Sequence, residues 1–284
     1  MKKKKFWERT KAILKIASDN DLSVYAGNAT LYIVIASFPF MLLLVSLVNL
    51  IPNPDFAAFC HLLTRFLPDI SQIKEFVTGI FMGLRTQSYG FLAGAAALTF
   101  LWFASSGVRA IQKGLRRITP NVETGVRSML VPIIFTLSFL ILLPCLFVFQ
   151  LFGSSIKRVL VYLAGEYDFM KTALHIVGMM KFSTLVTALG TCIVLVLMFT
   201  YLPGGHRSIK EQLPGGIFTA ACWLVFTKLF SIFIPIFFAG NGIYGSLTAL
   251  FLILLWLRIL MYIMFVGASL NTVLKTERES ERHI

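Results

Sequence analysis

The sequence predicts an all-α, polytopic membrane protein with six transmembrane helices. Three observations predict it. First, 57% of the 284 residues are hydrophobic and 14% are charged, with a mean hydropathy of +0.80. A soluble domain carries about 25% charged residues, so this balance excludes an ordinary soluble globule and a disordered chain. Second, the stretches 27–54, 86–108, 128–156 and 182–206 carry no charge at all, and a bilayer core takes about 20 apolar residues per helix. Third, Lys and Arg are shared unequally between alternate loops, as cytoplasmic loops require.

The elements follow in chain order. Residues 6–18 place Phe6, Ile13, Leu14 and Ala17 near one helical face and Lys and Arg on the other, the pattern of an interfacial helix on an anionic leaflet. The same pattern fits an ordinary juxtamembrane tail. Residues 1–27 are expected to form a basic cytoplasmic tail. The spans are expected at 28–51, 88–109, 128–152, 182–202, 214–238 and 246–272, with 273–284 as a second cytoplasmic tail. The last apolar block, 212–274, is too long for one helix. It breaks at AGNGIYG (239–245), where three glycines and an Asn make a tight reversal.

Counting Lys and Arg in the flanks puts 17 on the side of both termini and seven on the other side. Both termini are therefore expected in the cytoplasm. The first apolar run is too long for a signal-peptide core and lacks an A-x-A site, so it reads as an uncleaved span. The net charge of +13 follows from this topology and implies no nucleic-acid partner. In the first external loop, residues 56–66 and 70–84 are amphipathic and flank Leu67-Pro68-Asp69. They predict two short helices at the outer leaflet, the second capped by Asp69 or Ser71. The third loop, 153–181, is less clearly patterned.

Catalytic chemistry finds no foothold. All 13 carboxylates fall in tails or loops, and Glu166 and Asp168 read as a solvated loop pair. The four histidines are scattered, and no P-loop, GxSxG or HExxH appears. Cys60, Cys145, Cys192 and Cys222 form no CxxC and have no His or Asp at ligand spacing. No catalytic residue, metal site or cofactor is expected.

The informative residues lie in the spans. Gly90 and Gly94 form a GxxxG before Ala95, Ala96 and Ala97, which predicts close helix packing. Pro39, in ASFPF (36–40), removes a backbone hydrogen bond, and Ser37 is one partner for the freed carbonyls. Pro132 and Pro144 act alike in the third span. Such a kink either shapes the bundle or lines a path, together with Ser105 and Ser106.

Lys228 and Arg258 are the two charges inside the last two spans. Each lies 15 residues from Ile243, at about 22 Å along its helix. They are expected at matching depth with no span carboxylate to neutralise them. Intramembrane charge costs about 2.5–3.5 kcal/mol on insertion scales. Two readings follow: snorkelling to the headgroups, or a basic site for an anion such as a lipid phosphate or an organic acid.

Several segments resemble the YihY/virulence-factor BrkB family of bacterial inner-membrane proteins, over roughly residues 20–275. They are AGNATLYIVIASFPFMLLLVSLV (26–48), LWFASSGVRAIQKGLRRI (101–118), YLPGGHRSIKEQLPGGIFTAACWLVF (201–226) and YGSLTALFLILLWLRILMYIMFVGASLN (244–271). The resemblance implies a six-helix inner-membrane protein tied to serum resistance and envelope physiology, with a suggested transport role. The family once carried a ribonuclease label, which no residue pattern here supports. Where the family usually has an acidic residue in G-A-E-L-N, this chain reads Gly267-Ala268-Ser269-Leu270-Asn271. Lys228 and Arg258 stand where the family has neutral residues.

The functional expectation is a transporter or lipid-handling protein for an anionic amphiphile, without an ATPase of its own. Lys228 and Arg258 hold the anion, and Ser37, Pro39, Ser105 and Ser106 line or shape the path. Its partners are anionic lipid headgroups and a possible envelope protein. The alternative is a scaffold subunit that docks such a partner through its external loops.

Overall fold

The computed structural model describes residues 2–48, 71–84, 90–119, 129–138, 182–205, 207–238 and 245–282. Among these residues every regular element is helical. The helices are α1 (Lys2–Asp19), α2 (Leu22–Val48), α3 (Ser71–Leu84), α4 (Gly90–Ile118), α5 (Phe182–Tyr201), α6 (Ile209–Phe238) and α7 (Gly245–Arg282). Four stretches are long and apolar enough to cross a bilayer: Leu22–Ser46, Gly94–Ile118, Ile209–Ile234 and Leu247–Glu281. Two shorter apolar helical stretches, Met129–Ser138 and Ala188–Tyr201, fall where the third and fourth spans are expected.

One end of the bundle is defined by contacts between distant segments. The Arg117 Nε donates to the Tyr25 hydroxyl at 3.2 Å. Gly114 packs under the Phe265 ring and beside the Tyr25 Cβ. Arg116 Nε donates to Pro203 O at 3.0 Å. The start of α2, the ends of α4 and α5, and the C-terminal part of α7 therefore meet at this end. Because α4 and α5 both finish here, the chain crosses away between them. That stretch contains Met129–Ser138 and otherwise lies outside the described residues. The arrangement is compatible with six crossings.

The helices outrun the charge-free windows. α4 continues through Arg109, Lys113, Arg116 and Arg117 to Ile118. α6 starts at Ile209, five residues before the expected 214, and α7 runs on to Arg282. Charge marks where the hydrocarbon ends, not where backbone hydrogen bonding ends. α2 passes through Pro39 without interruption.

Packing is concentrated at the terminal end. Leu22, Ala26, Ala110, Leu115, Leu195, Phe199, Met264 and Phe265 form the larger buried cluster. Lipid tails are as apolar as Leu, so this packing rests on close contact rather than on expulsion of water. α2 and α4 approach at Gly107, where an added Cβ would lie 3.4 Å from the Tyr32 Cβ. A second cluster joins Ile73 of α3 to Phe230, Ile234, Ala249, Leu252 and Trp256. The second amphipathic segment of the first loop is thus α3, reaching down beside a membrane span. The first segment, 56–66, lies outside the described residues, as do Pro144, the 153–181 loop and most of the turn at 239–245.

α1 docks on the C-terminal extension of α7. Arg9 Nε donates to both Glu277 oxygens at 2.9 and 3.0 Å, and Arg9 Nη2 donates to Oε2 at 2.6 Å. Ala12 and Ile16 continue the contact toward Thr272 and Val273, so the helices run antiparallel. Asn20 Nδ2 closes α1 by donating to Ile16 O, and Asp21 turns the chain at φ 50°, a left-handed conformation Asp tolerates. The basic helix is held by a helix partner, and both termini lie at the same end.

Candidate functional site in the last hairpin

α6 and α7 are held in register by three cross-links. Gly215 N donates to Asn271 Oδ1 at 2.7 Å, Trp223 Nε1 to Leu260 O at 2.7 Å, and Trp256 Nε1 to Thr227 Oγ1 at 3.2 Å. In the register of the two tryptophans, Lys228 lies level with Leu255 and Arg258 with Val225. The two cations are therefore three residues apart in depth, about 4.5 Å.

They occupy the outer surface of the hairpin. Lys228 is exposed and continues the stripe Ile217, Leu224 and Ile232, which are 52%, 42% and 60% exposed. Arg258 is exposed below Leu247 and Phe251 on α7. On spanning helices an exposed stripe of this kind meets lipid or another chain. Arg258 Nη2 reaches the first turn of α2, where it donates to Ser23 Oγ at 3.2 Å. Among the described residues that hydroxyl is its hydrogen-bond partner, and neither cation makes an ion pair with them.

The expected path residues share a level. Phe40 stacks on Phe100 at 5.1 Å, Tyr32 meets Gly107, and Tyr25 meets Arg117. This antiparallel register puts Ser105 level with Ile35, whose carbonyl loses its helical donor at Pro39. Pro39 and Ser105 are buried, and the Ser105 hydroxyl has no hydrogen-bond partner among the described residues. Ser37 donates to Val34 O at 2.7 Å, not to the freed Ile35 carbonyl. Ser106 is half-buried and donates to Trp102 O at 2.9 Å.

Gly94 is exposed, and a Cβ there would meet nothing within 4 Å. The surroundings of Gly90 lie outside the described residues. The closest glycine contact is in the last hairpin. A Cβ on Gly267 would overlap Thr219 Oγ1, and one on Gly215 would overlap the Gly267 carbonyl oxygen.

Sequence reasoning missed the polar clasp around those glycines. Pro214 has no N–H to give, and the next N–H, that of Gly215, goes to Asn271. Asn271 Nδ2 donates in turn to the backbone and side-chain oxygens of Gln212 at 3.2 and 3.1 Å. Gln212 and Asn271 are buried. The signals were the LPGG and GASLN stretches, which carried the resemblance but received no role. Ser269, where the resemblance implies an acid, is buried and donates to Phe265 O at 3.0 Å.

Among the described residues no three His, Cys, Asp or Glu side chains gather as metal ligands. The arrangement offers fixed cations toward lipid and buried polar groups between helices.

Together, the apolar helices and the clasped hairpin define a multi-pass helical membrane protein. The chain belongs to the virulence factor BrkB family, whose profile matches residues 13–284. It is similar to YfkH of Bacillus subtilis (strain 168), a protein named as ribonuclease-like, at 21% identity over 87% of this chain and 88% of that one. It is also similar to a UPF0761 membrane protein of Pseudoalteromonas translucida (strain TAC 125), at 24% identity over 91% and 83%. No solved structure gives a significant match.

Proposed function

We propose that the protein handles an anionic amphiphile of the bacterial cell envelope, as a transporter or lipid-handling protein without its own ATPase. It sits in the inner membrane with both termini in the cytoplasm. One observation carries the reading: Lys228 and Arg258 are both exposed on the last hairpin, within about one turn of each other in depth, and neither makes an ion pair with the described residues. An intramembrane cation without a carboxylate partner is costly, and a lipid phosphate or carboxylate supplies the missing charge. Because both cations face outward, the amphiphile is reached from the lipid phase. The unpartnered Ser105 hydroxyl beside the break at Pro39 supports a polar spot between α2 and α4. The non-enzymatic reading rests on the absence of catalytic spacing in the sequence; the ribonuclease-like name belongs to YfkH.

The test is movement of a labelled acidic phospholipid between the leaflets of proteoliposomes, followed by dithionite quenching. Faster exchange than in protein-free vesicles, with no effect on a labelled zwitterionic lipid, supports the reading. Equal rates with and without protein contradict transport of such a lipid. A stoichiometric protein partner recovered alongside equal rates would favour the scaffold alternative.

A further inference from the structure

A second cationic site lies away from the hairpin cations, at the terminal end of the bundle. The link between α5 and α6 is pinned to α4 by two side chains. Gln112 Nε2 donates to Leu202 O at 2.9 Å, and Arg116 Nε donates to Pro203 O at 3.0 Å. The chain then turns through Gly204 and Gly205, at φ 92° and 79°, where any side chain would be strained. Space is open beside Gly205: a Cβ there would meet nothing within 4 Å.

One arginine touches this turn, Arg116, and a second, Arg207, follows it in the chain. Arg116 uses Nε on the loop carbonyl, yet its Nη2 is fully buried and has no hydrogen-bond partner among the described residues. Buried charged donors are rarely left unmade, and an orphan marks a place for an acceptor, water or an ion. Arg207, two residues after Gly205, is half-buried. Burial lowers its pKa, and the Glu211 carboxylate partly opposes this. In a topological reading both arginines count only toward the positive side. The pinned loop, the orphan donor and the open glycine turn are more than topology needs.

We propose that Arg116 and Arg207 hold a phosphate group over the Gly204–Gly205 turn. Guanidinium groups suit this chemistry because their planar forks pair with phosphate oxygens two at a time. The phosphate belongs either to a soluble ion or to a lipid headgroup in the adjoining leaflet, two sources with the same recognition. This site is independent of Lys228 and Arg258 and of the amphiphile reading.

The experiment uses the full chain in nanodiscs of zwitterionic lipid, titrated calorimetrically with inorganic phosphate. Parallel samples are purified from nanodiscs doped with phosphatidic acid and weighed by native mass spectrometry. The variants are Arg116→Gln and Arg207→Gln, with Lys275→Gln as a control of equal charge change. Phosphate binding weakened at least tenfold in both arginine variants but not in Lys275→Gln supports a soluble-phosphate site. Absent phosphate binding, but phosphatidic acid retained by the parent and lost in the arginine variants alone, supports a headgroup site. Neither ligand bound, or equal loss in the control, overturns the proposal. Arg116 also anchors the loop, so Arg207→Gln alone decides if Arg116→Gln fails to fold.

Discussion

Asn271 on α7 accepts the backbone N–H of Gly215 on α6 at 2.7 Å, and through Gln212 it also holds the first turns of α6. A single side chain thereby fixes how the last two spans begin and end. It does so where Pro214 has already removed one helical donor. Loss of the amide leaves the Gly215 N–H buried and unpaired. Asn271→Ala is expected to destabilise the protein by about 1–2 kcal/mol, given ~0.6 kcal/mol per interhelical bond in membranes and the cost of an orphaned donor. Unfolding in mixed detergent measures it; a loss below about 0.3 kcal/mol would mean the clasp is idle.

Glycine is tightly packed at the crossing of the last hairpin, whereas Gly94 of the sequence motif meets open space. Gly267→Ala pushes a methyl into Thr219, and Gly215→Ala into the Gly267 carbonyl. Each is expected to cost about 1–3 kcal/mol through overpacking. Gly94→Ala meets open space and is expected to be neutral, or to stabilise α4 by up to ~1 kcal/mol through helix propensity. The three melting temperatures in one detergent check the order.

Arg9 and Glu277 hold the two termini together while half-exposed. The pair is expected to contribute about 0.5–1 kcal/mol, weakened by salt. Glu277→Gln should speed amide exchange in α1 and leave α4 unchanged. The hydrogen bond to Glu277 raises the Arg9 pKa, against a smaller lowering by burial. A raised folded-state value means the Arg9 contribution is complete below the ordinary arginine value and is lost only as pH rises through the raised one. Exchange in α1 should therefore show no Arg9 titration between about pH 6 and 9.

Ser105 separates structure from path. Its buried hydroxyl has no hydrogen-bond partner among the described residues, so Ser105→Ala removes an unsatisfied group. Stability should hold or rise slightly, while exchange of the acidic lipid in proteoliposomes slows. A stable variant with unchanged exchange would place Ser105 outside any path.

What the sequence made legible follows from the reach of each signal. Hydropathy located the helices because a bilayer demands ~20 apolar residues in a row. It did not reach the end of α4 or the start of α6, since Arg109–Arg117 and Lys210 end the apolar window while the backbone continues helical. Symmetry about the turn near Ile243 placed Lys228 and Arg258 to within about a turn in depth. It gave no face, and the outward stripe emerged only with packing. The Arg9–Glu277 pair spans 268 residues and left no local trace. The GxxxG spacing at Gly90 and Gly94 states that backbones approach on one face without naming the helix. The contact instead joins Gly215 and Gly267, too far apart in sequence to form a motif.

The central claim is that Lys228 and Arg258 give the protein its hold on an anionic amphiphile. Native mass spectrometry of the protein from mild detergent, beside Lys228→Gln/Arg258→Gln, tests it most directly. The account predicts a specific anionic lipid or acid on the parent and its loss from the double variant. No retained anion, or equal retention in both, would contradict it and leave the two cations as snorkelling side chains.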